Sequence, residues 1–279
     1  MAMKVSLTAP TQRIALTGGG LAALLAVAHV ANDAVTSMLS TLLPTLQGRF
    51  GLSATALALL VATLSFSSSV TQPLFGALSD RFGRRALAAF GLVLSVSLLG
   101  LLAVAPSIWA LFGLLLVGGL GSAAFHPAGT SIARTSGANP GLAVGLFSAG
   151  GMLGLALGPV AVLAVATTLG LGFTPLLMAP GILLGMAVNL VAPVQPRPAG
   201  VARPRFFEPR LIAGPIGLLV IAGVFMEVAF VAFTNAVPLW LVAERGIARD
   251  DALLGWTLTT FYLAAALGGI AAGAIARRV

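Results

Sequence analysis

His29, Asn32 and Asp33 fall within five residues of one another in a stretch made mostly of small and apolar side chains. The chain holds only two histidines and seven acidic residues in 279, so where they sit carries information. His29 and Asp33 are four apart, which on a helix places them on one face and within reach of each other. Thr36 and Ser40 continue that polar stripe. An imidazole titrates closest to neutral pH of all side chains, which suits a proton relay. A carboxylate in an apolar span can hold a proton or a substrate cation; left charged, it costs about 2.5–3.5 kcal/mol on insertion scales. The plainer reading is a satisfied His–Asp pair that only fixes helix packing. His126 precedes Pro127, so it reads either as a proton carrier at a kink near a gate or as a side chain bonded to a carbonyl that the proline releases. Glu227 is the other acid set deep in apolar sequence. Ser65, Ser68, Thr71 and Gln72 are polar groups that could line the same cavity.

Soluble-enzyme chemistry finds no footing. No G-x-x-x-x-G-K-[ST] phosphate loop is present, and no nucleophile elbow marks a serine. With no cysteine and two histidines far apart in sequence, no metal cluster, and no cofactor, is expected.

The elements that must position these residues follow from composition. Residues are 58% hydrophobic and only 8% charged, with 34 glycines, whereas soluble domains carry about a quarter charged residues. Such a chain needs lipid as its partner and solvent. Spans need about 20 mainly apolar residues, and the runs at 15–46, 53–78, 87–105, 108–131, 141–167, 172–193, 213–243 and 252–276 give about eight. The break at 169–172 is the weakest, because glycines also fit inside membrane helices. Lys4 and Arg13 before the first run resemble a secretory leader, but the apolar pattern continues past any cleavage point and more spans follow. With the amino terminus in the cytoplasm, only Arg49, Arg245 and Arg249 of the fifteen Lys and Arg residues fall outside, a positive-inside bias that fits an inner (plasma) membrane protein. The formal charge of +8 therefore reads as orientation; with no aromatics interleaved, a nucleic-acid partner is excluded. The Pro- and Arg-rich segment 194–212 reads as a cytoplasmic linker between a six-helix unit, 1–193, and the first two helices of a second unit, 213–279.

Two motifs narrow the class. Gly76, Asp80, Arg81, Gly83, Arg84 and Arg85 in "GALSDRFGRR" fit the G-x-x-x-D-R-x-G-R-R loop between the second and third helices of the major facilitator superfamily, which the chain resembles. In "GLFSAGGMLGLALGP", Gly145, Gly154, Gly158 and Pro159 keep the G-x8-G-x3-G-P spacing of that superfamily's antiporters, where small residues permit close helix packing. "AHVAND" and "GSAAFHPAG" are similar to the fosmidomycin-resistance type of efflux transporter in the same superfamily. The chain departs from drug antiporters at Val117, where an arginine is common, and at Ala128, where relatives carry an acid. The resemblance implies an all-α membrane bundle, powered by a proton gradient, that exports a small molecule by antiport. It covers about two-thirds of a twelve-helix transporter, so a chain truncated after the eighth helix, or completed by a second chain, is expected. Organic-anion uptake and a non-transporting membrane protein remain the alternatives.

The two halves of such a bundle are repeats, and the sequence carries an echo. Aligning Pro44 with Pro238 sets Asp33 opposite Glu227 and brings Gly51 to within one residue of Gly246, while Arg277 and Arg278 fall where Asp80 and Arg81 stand. One carboxylate per half is thus expected at the same depth, with His29, Asn32, Asp33, His126 and Glu227 as the proton and substrate residues, and Thr36, Ser65, Ser68 and Gln72 lining the cavity.

Overall fold

The computed structural model describes residues 16–137, 139–194 and 214–276. Among these all regular structure is helical. α1 runs Gly18–Phe50, α2 Ala54–Ser65, α3 Gln72–Phe82, α4 Arg84–Leu99 and α5 Ile108–Arg134. α6 runs Pro140–Thr168, α7 Met178–Val191, α8 Pro215–Arg245 and α9 Ala252–Ala276. Six helices are long and apolar enough to cross a membrane, seven if α2 and α3 count as one bent span, and Ala252–Leu267 adds a shorter apolar helix. About eight spans result. The leader-like residues 1–15, most of the linker 194–212, and Arg277 and Arg278 lie outside the described residues.

Helix ends follow local chemistry more closely than hydropathy. α1 continues past the apolar run to Phe50, where Gly51 turns left-handed at φ 63° and donates its N–H to Gln47 O. α8 ends the same way at Gly246, φ 65°, with its N–H on Leu241 O. Only glycine takes this conformation without strain, so the repeat extends from Pro44 and Pro238 to the caps. Ser53, Ser107 and Asn139 accept N–H groups of the first turns of α2, α5 and α6 through their side-chain oxygens. The second span is broken. Its α2 and α3 halves meet at a 41° bend through a π-turn at Phe66–Val70, and a π-turn leaves backbone and side-chain groups free to face a cavity. The weak break at Gly170 is real, with a 3-10 segment, Leu171–Leu177, leading into α7.

Lipid tails are as apolar as leucine, so helices in a membrane associate by close packing rather than by escape from water. Glycines supply that closeness. Gly91 of α4 and Gly121 of α5 face each other, and a methyl group on Gly91 would stand 2.6 Å from Gly121 O. On α6, methyl groups at Gly150, Gly154 and Gly158 would strike the α1 backbone at Ala26, Val30 and Ala34 respectively. Gly145, expected in the same packing motif, has open space around it. Its distance from the α1 crossing removes the need for glycine there, and the packing run is Gly150, Gly151, Gly154 and Gly158 instead. α9 lies against α6 at Pro159, where a methyl on Gly255 would stand 3.0 Å from Pro159 O, and Thr259 Oγ1 donates to Ala156 O at 2.5 Å. α8 touches α1 through Ser40 Oγ, which donates to Asn235 Oδ1 at 2.9 Å.

This packing predicts a sharp contrast. Gly158→Ala should lower thermal stability in detergent by about 1–3 kcal/mol, as overpacking does, while Gly145→Ala leaves the melting temperature unchanged.

Candidate functional site

Asp33 sits midway along α1, and its carboxylate lies between two imidazoles. His29 Nε2 is 3.2 Å from Oδ2, and His126 Nε2 of α5 is 3.3 Å from Oδ1. The histidines, far apart in sequence, thus meet at Asp33 with ring centroids 4.8 Å apart, where α5 and α6 both pack against α1. This revises two expectations. No cluster was expected of separated histidines, yet one forms. His126 does bond a backbone carbonyl, but it is that of Ser122, at 2.8 Å through Nδ1. Pro127 releases the Ala123 carbonyl, one residue later in the helix.

The surroundings hold each group in place. His29 Nδ1 donates to Phe147 O at 2.7 Å, and its ring stacks on Phe147 with a 4.1 Å centroid separation. Asn32 is fully buried and donates from Nδ2 to Asp33 Oδ1 at 2.8 Å and to Ser122 Oγ at 3.0 Å. Thr36 Oγ1 turns back to Asn32 O at 2.9 Å. Gly151 makes room for the pair, since a methyl there would stand 2.7 Å from His29 Nε2 and 2.8 Å from Asp33 Oδ2. Gly151 was missed because it lies outside the spaced motif, although it adjoins Gly150 in "SAGGM". Ser122, four residues before His126, was equally legible and equally passed over.

One side of the cluster is open. Asp33, His126 and Ser122 border a cavity of about 210 Å³ that Thr36, Ser65, Ser68 and Gln72 also line. Glu227 borders it from α8, together with Thr234 and Asn235, and Tyr262 closes it from α9. The two carboxylates set opposite by the repeat therefore reach one space, but unequally. Asp33 is 13% exposed in its side chain and enclosed by His29, His126 and Asn32, whereas Glu227 is exposed. Among the described residues no Lys or Arg lines the cavity. Beside it an apolar opening of about 640 Å³ runs between α1, α2 and α8, with Glu227, Ser65 and Asn235 common to both.

The cavity is closed toward the C-terminal end of α1. There Thr45 Oγ1 donates to Arg249 O at 3.3 Å, and the Arg249 guanidinium lies over Gly48. At the other end, Leu218, Leu219, Phe225 and Met226 of α8 are exposed. That end also carries the Gly76–Arg85 loop. Arg84 Nη2 donates to Asp80 Oδ1 at 2.8 Å, Arg81 stacks over Phe82, and Arg85 Nη1 donates to Ala192 O at 3.4 Å. Gly83 turns the chain between α3 and α4, and a methyl group on Gly76 would lie 3.8 Å from Pro127 Cβ of α5.

A family model described as Major Facilitator Superfamily matches residues 25–279. The chain is 31% identical over 159 residues to the fosmidomycin resistance protein of Escherichia coli K12, covering 57% of this chain and 39% of that protein. It is 33% identical over 150 residues to the uncharacterized MFS-type transporter YfnC of Bacillus subtilis 168, covering 53% and 36%. These matches span about two-fifths of the relatives' length. The fold is similar to the crystal structure of a bacterial homologue of the human lysosomal transporter Spinster, in an inward-facing and unoccupied conformation. The TM-score is 0.69, over 92% of this chain and 62% of that one, at 17% identity.

Two substitutions separate packing from loop chemistry. Gly151→Ala should destabilise the protein by about 1–3 kcal/mol, because the His29–Asp33 pair must shift. Asp80→Asn removes an ion pair whose carboxylate is 50% exposed and should change thermal stability by less than about 1 kcal/mol.

Proposed function

The chain belongs to the major facilitator superfamily, and from that premise we propose that it takes part in proton-coupled export of a small molecule across the bacterial inner membrane. The observation that carries this reading is the shared cavity, bordered by Asp33 from the first helix of one repeat and Glu227 from the first helix of the next. Transporters of this build bind solute near the midplane between repeats and expose it to each side in turn by rocking one bundle against the other. In this reading the amino terminus is cytoplasmic, as the distribution of Lys and Arg favours. The end bearing Asp80 and Arg84 then faces the cytoplasm, and the contacts of Thr45 and Gly48 with Arg249 form the outer gate.

The division of labour follows from the surroundings of the two acids. Asp33, tied to His29, His126 and Asn32, takes the coupling proton, and its occupancy biases one conformation. Glu227, exposed to the cavity and the apolar opening, meets the solute. A ligand shifts such an equilibrium only by its differential affinity for the two states, so proton and solute must favour opposite ones. Export fits the likeness to a protein named for fosmidomycin resistance. A cationic or neutral solute fits a cavity with two carboxylates and, among the described residues, no Lys or Arg in its lining. Organic-anion uptake lacks that support, because anions are usually held by arginine. The chemistry is transport rather than catalysis, with the proton gradient in place of a cofactor.

Asp33→Asn should abolish proton-driven solute movement in everted membrane vesicles that contain this chain in its native assembly, with expression and monodispersity retained. Proton-coupled transport at the unmodified rate in that variant contradicts the assignment.

A further inference from the structure

We propose that His29, Asp33 and His126 form a binding site for a divalent transition-metal cation of the zinc and cobalt kind, with one side open to the cavity. This goes beyond the transport reading and holds whichever solute the cavity carries.

Each ring is anchored at its far side. His29 Nδ1 lies 2.7 Å from Phe147 O, and His126 Nδ1 lies 2.8 Å from Ser122 O. A carbonyl oxygen only accepts, so each Nδ1 carries the ring proton. In the neutral imidazole the lone pair is then on Nε2. Both Nε2 atoms turn toward Asp33, and His29 Nε2, on a residue only 6% exposed, has no hydrogen-bond partner. Three electron-pair donors therefore face one another inside the bundle, all within 4.8 Å. Neutral rings and an ionised carboxylate have nothing to share in that arrangement. A cation at the centre satisfies all three.

The donor set selects the class of cation. Two imidazole nitrogens and one carboxylate oxygen suit zinc and its first-row neighbours, whereas magnesium and calcium take oxygen ligands. Metal–ligand bonds of about 2.0–2.2 Å at a tetrahedral angle set neighbouring ligand atoms roughly 3.3 Å apart. His29 Nε2 lies 3.2 Å from Asp33 Oδ2 and His126 Nε2 lies 3.3 Å from Asp33 Oδ1, one ring on each carboxylate oxygen, with the ligand atoms all within 4.8 Å of one another. The supporting contacts are those of metal sites, where a ligating histidine gives its other N–H to a backbone carbonyl and the carboxylate is itself hydrogen-bonded. Here Asn32 Nδ2 supplies the latter bond to Asp33 Oδ1 at 2.8 Å. His126 and Asp33 border the cavity, so water can fill the remaining coordination positions. The sequence also makes the claim clean to test, because the chain has two histidines, both in this cluster, and no cysteine.

The test titrates the full chain, free of any polyhistidine tag, with cobalt(II) chloride in detergent and follows visible absorption, then displaces cobalt with zinc. One equivalent per chain should bind saturably, with the intense bands of a four- or five-coordinate nitrogen–oxygen site. His126→Gln and Asp33→Asn should each weaken binding by about tenfold or more, since even supporting contacts of metal sites are worth 10–100-fold. Glu244→Gln, on an exposed carboxylate, should bind as the parent does. No saturation at millimolar cobalt, or undiminished binding in His126→Gln, overturns the site. Should both variants fail to fold, the parent's melting temperature decides: a rise with zinc supports the site, and no rise overturns it.

Discussion

A charge inside an apolar helix bundle must be compensated, and the placement of Asp33 sets that requirement for the rest of the protein. An ionised carboxylate taken out of water loses several kcal/mol even after relaxation. The Asn32 amide, and the two imidazoles through a proton or cation shared with the carboxylate, supply the compensation. α1 supplies only part of this, since His126 arrives on α5 and Phe147, which fixes the His29 ring, on α6. The helices can come that near only where side chains are absent, as at Gly151 against the His–Asp pair and Gly154 against Val30. The glycine packing and the polar site are one construction. The same positions that let helices associate without a hydrophobic drive also let the charged cluster close.

The repeat is kept in form and changed in chemistry. α1 and α8 share an internal proline, a left-handed glycine cap and a carboxylate at the same offset from the proline. Yet Asp33 is enclosed by its own bundle while Glu227 stands exposed at the mouth of an apolar opening. Two equivalent positions thus offer a partnered carboxylate and an unpartnered-looking surface to one cavity. That asymmetry supports the proposed coupling, because groups with identical surroundings could not separate the binding of a driving ion from that of a solute.

Much of this was legible in the sequence, for physical reasons. The number of spans follows from the length of apolar runs, and the superfamily from the fixed spacing of Gly76, Asp80, Arg81 and Gly83. The His29–Asp33 pairing follows from helical periodicity alone. Pairings between helices were not legible. His126 was read beside its own proline, because nothing local reports that α5 crosses α1 at Asp33. Gly145 fitted a motif, yet a methyl group there would meet nothing within 4 Å, since a spacing pattern does not say where along α6 the crossing with α1 begins. Span ends were misjudged where caps overrode hydropathy, as at Gly51, and the bend in the second span was hidden because "SFSSSVTQP" reads as an ordinary polar patch. Ser40 with Asn235, and Tyr262 from α9, could be found only once the two repeats were set side by side.

The central claim is that polar residues from α1, the bent second span and α8 share one water-filled cavity at the level of Asp33. The chain contains no cysteine, so single cysteines report on it without background. Thr36→Cys, Ser68→Cys and Asn235→Cys, measured in oriented vesicles with a membrane-impermeant maleimide, should all label from the side that bears Asp80, while Leu157→Cys on an exposed apolar face does not. Failure of the three cavity positions to label from either side, or labelling no faster than at Leu157, would contradict a shared aqueous cavity and with it the account of the site.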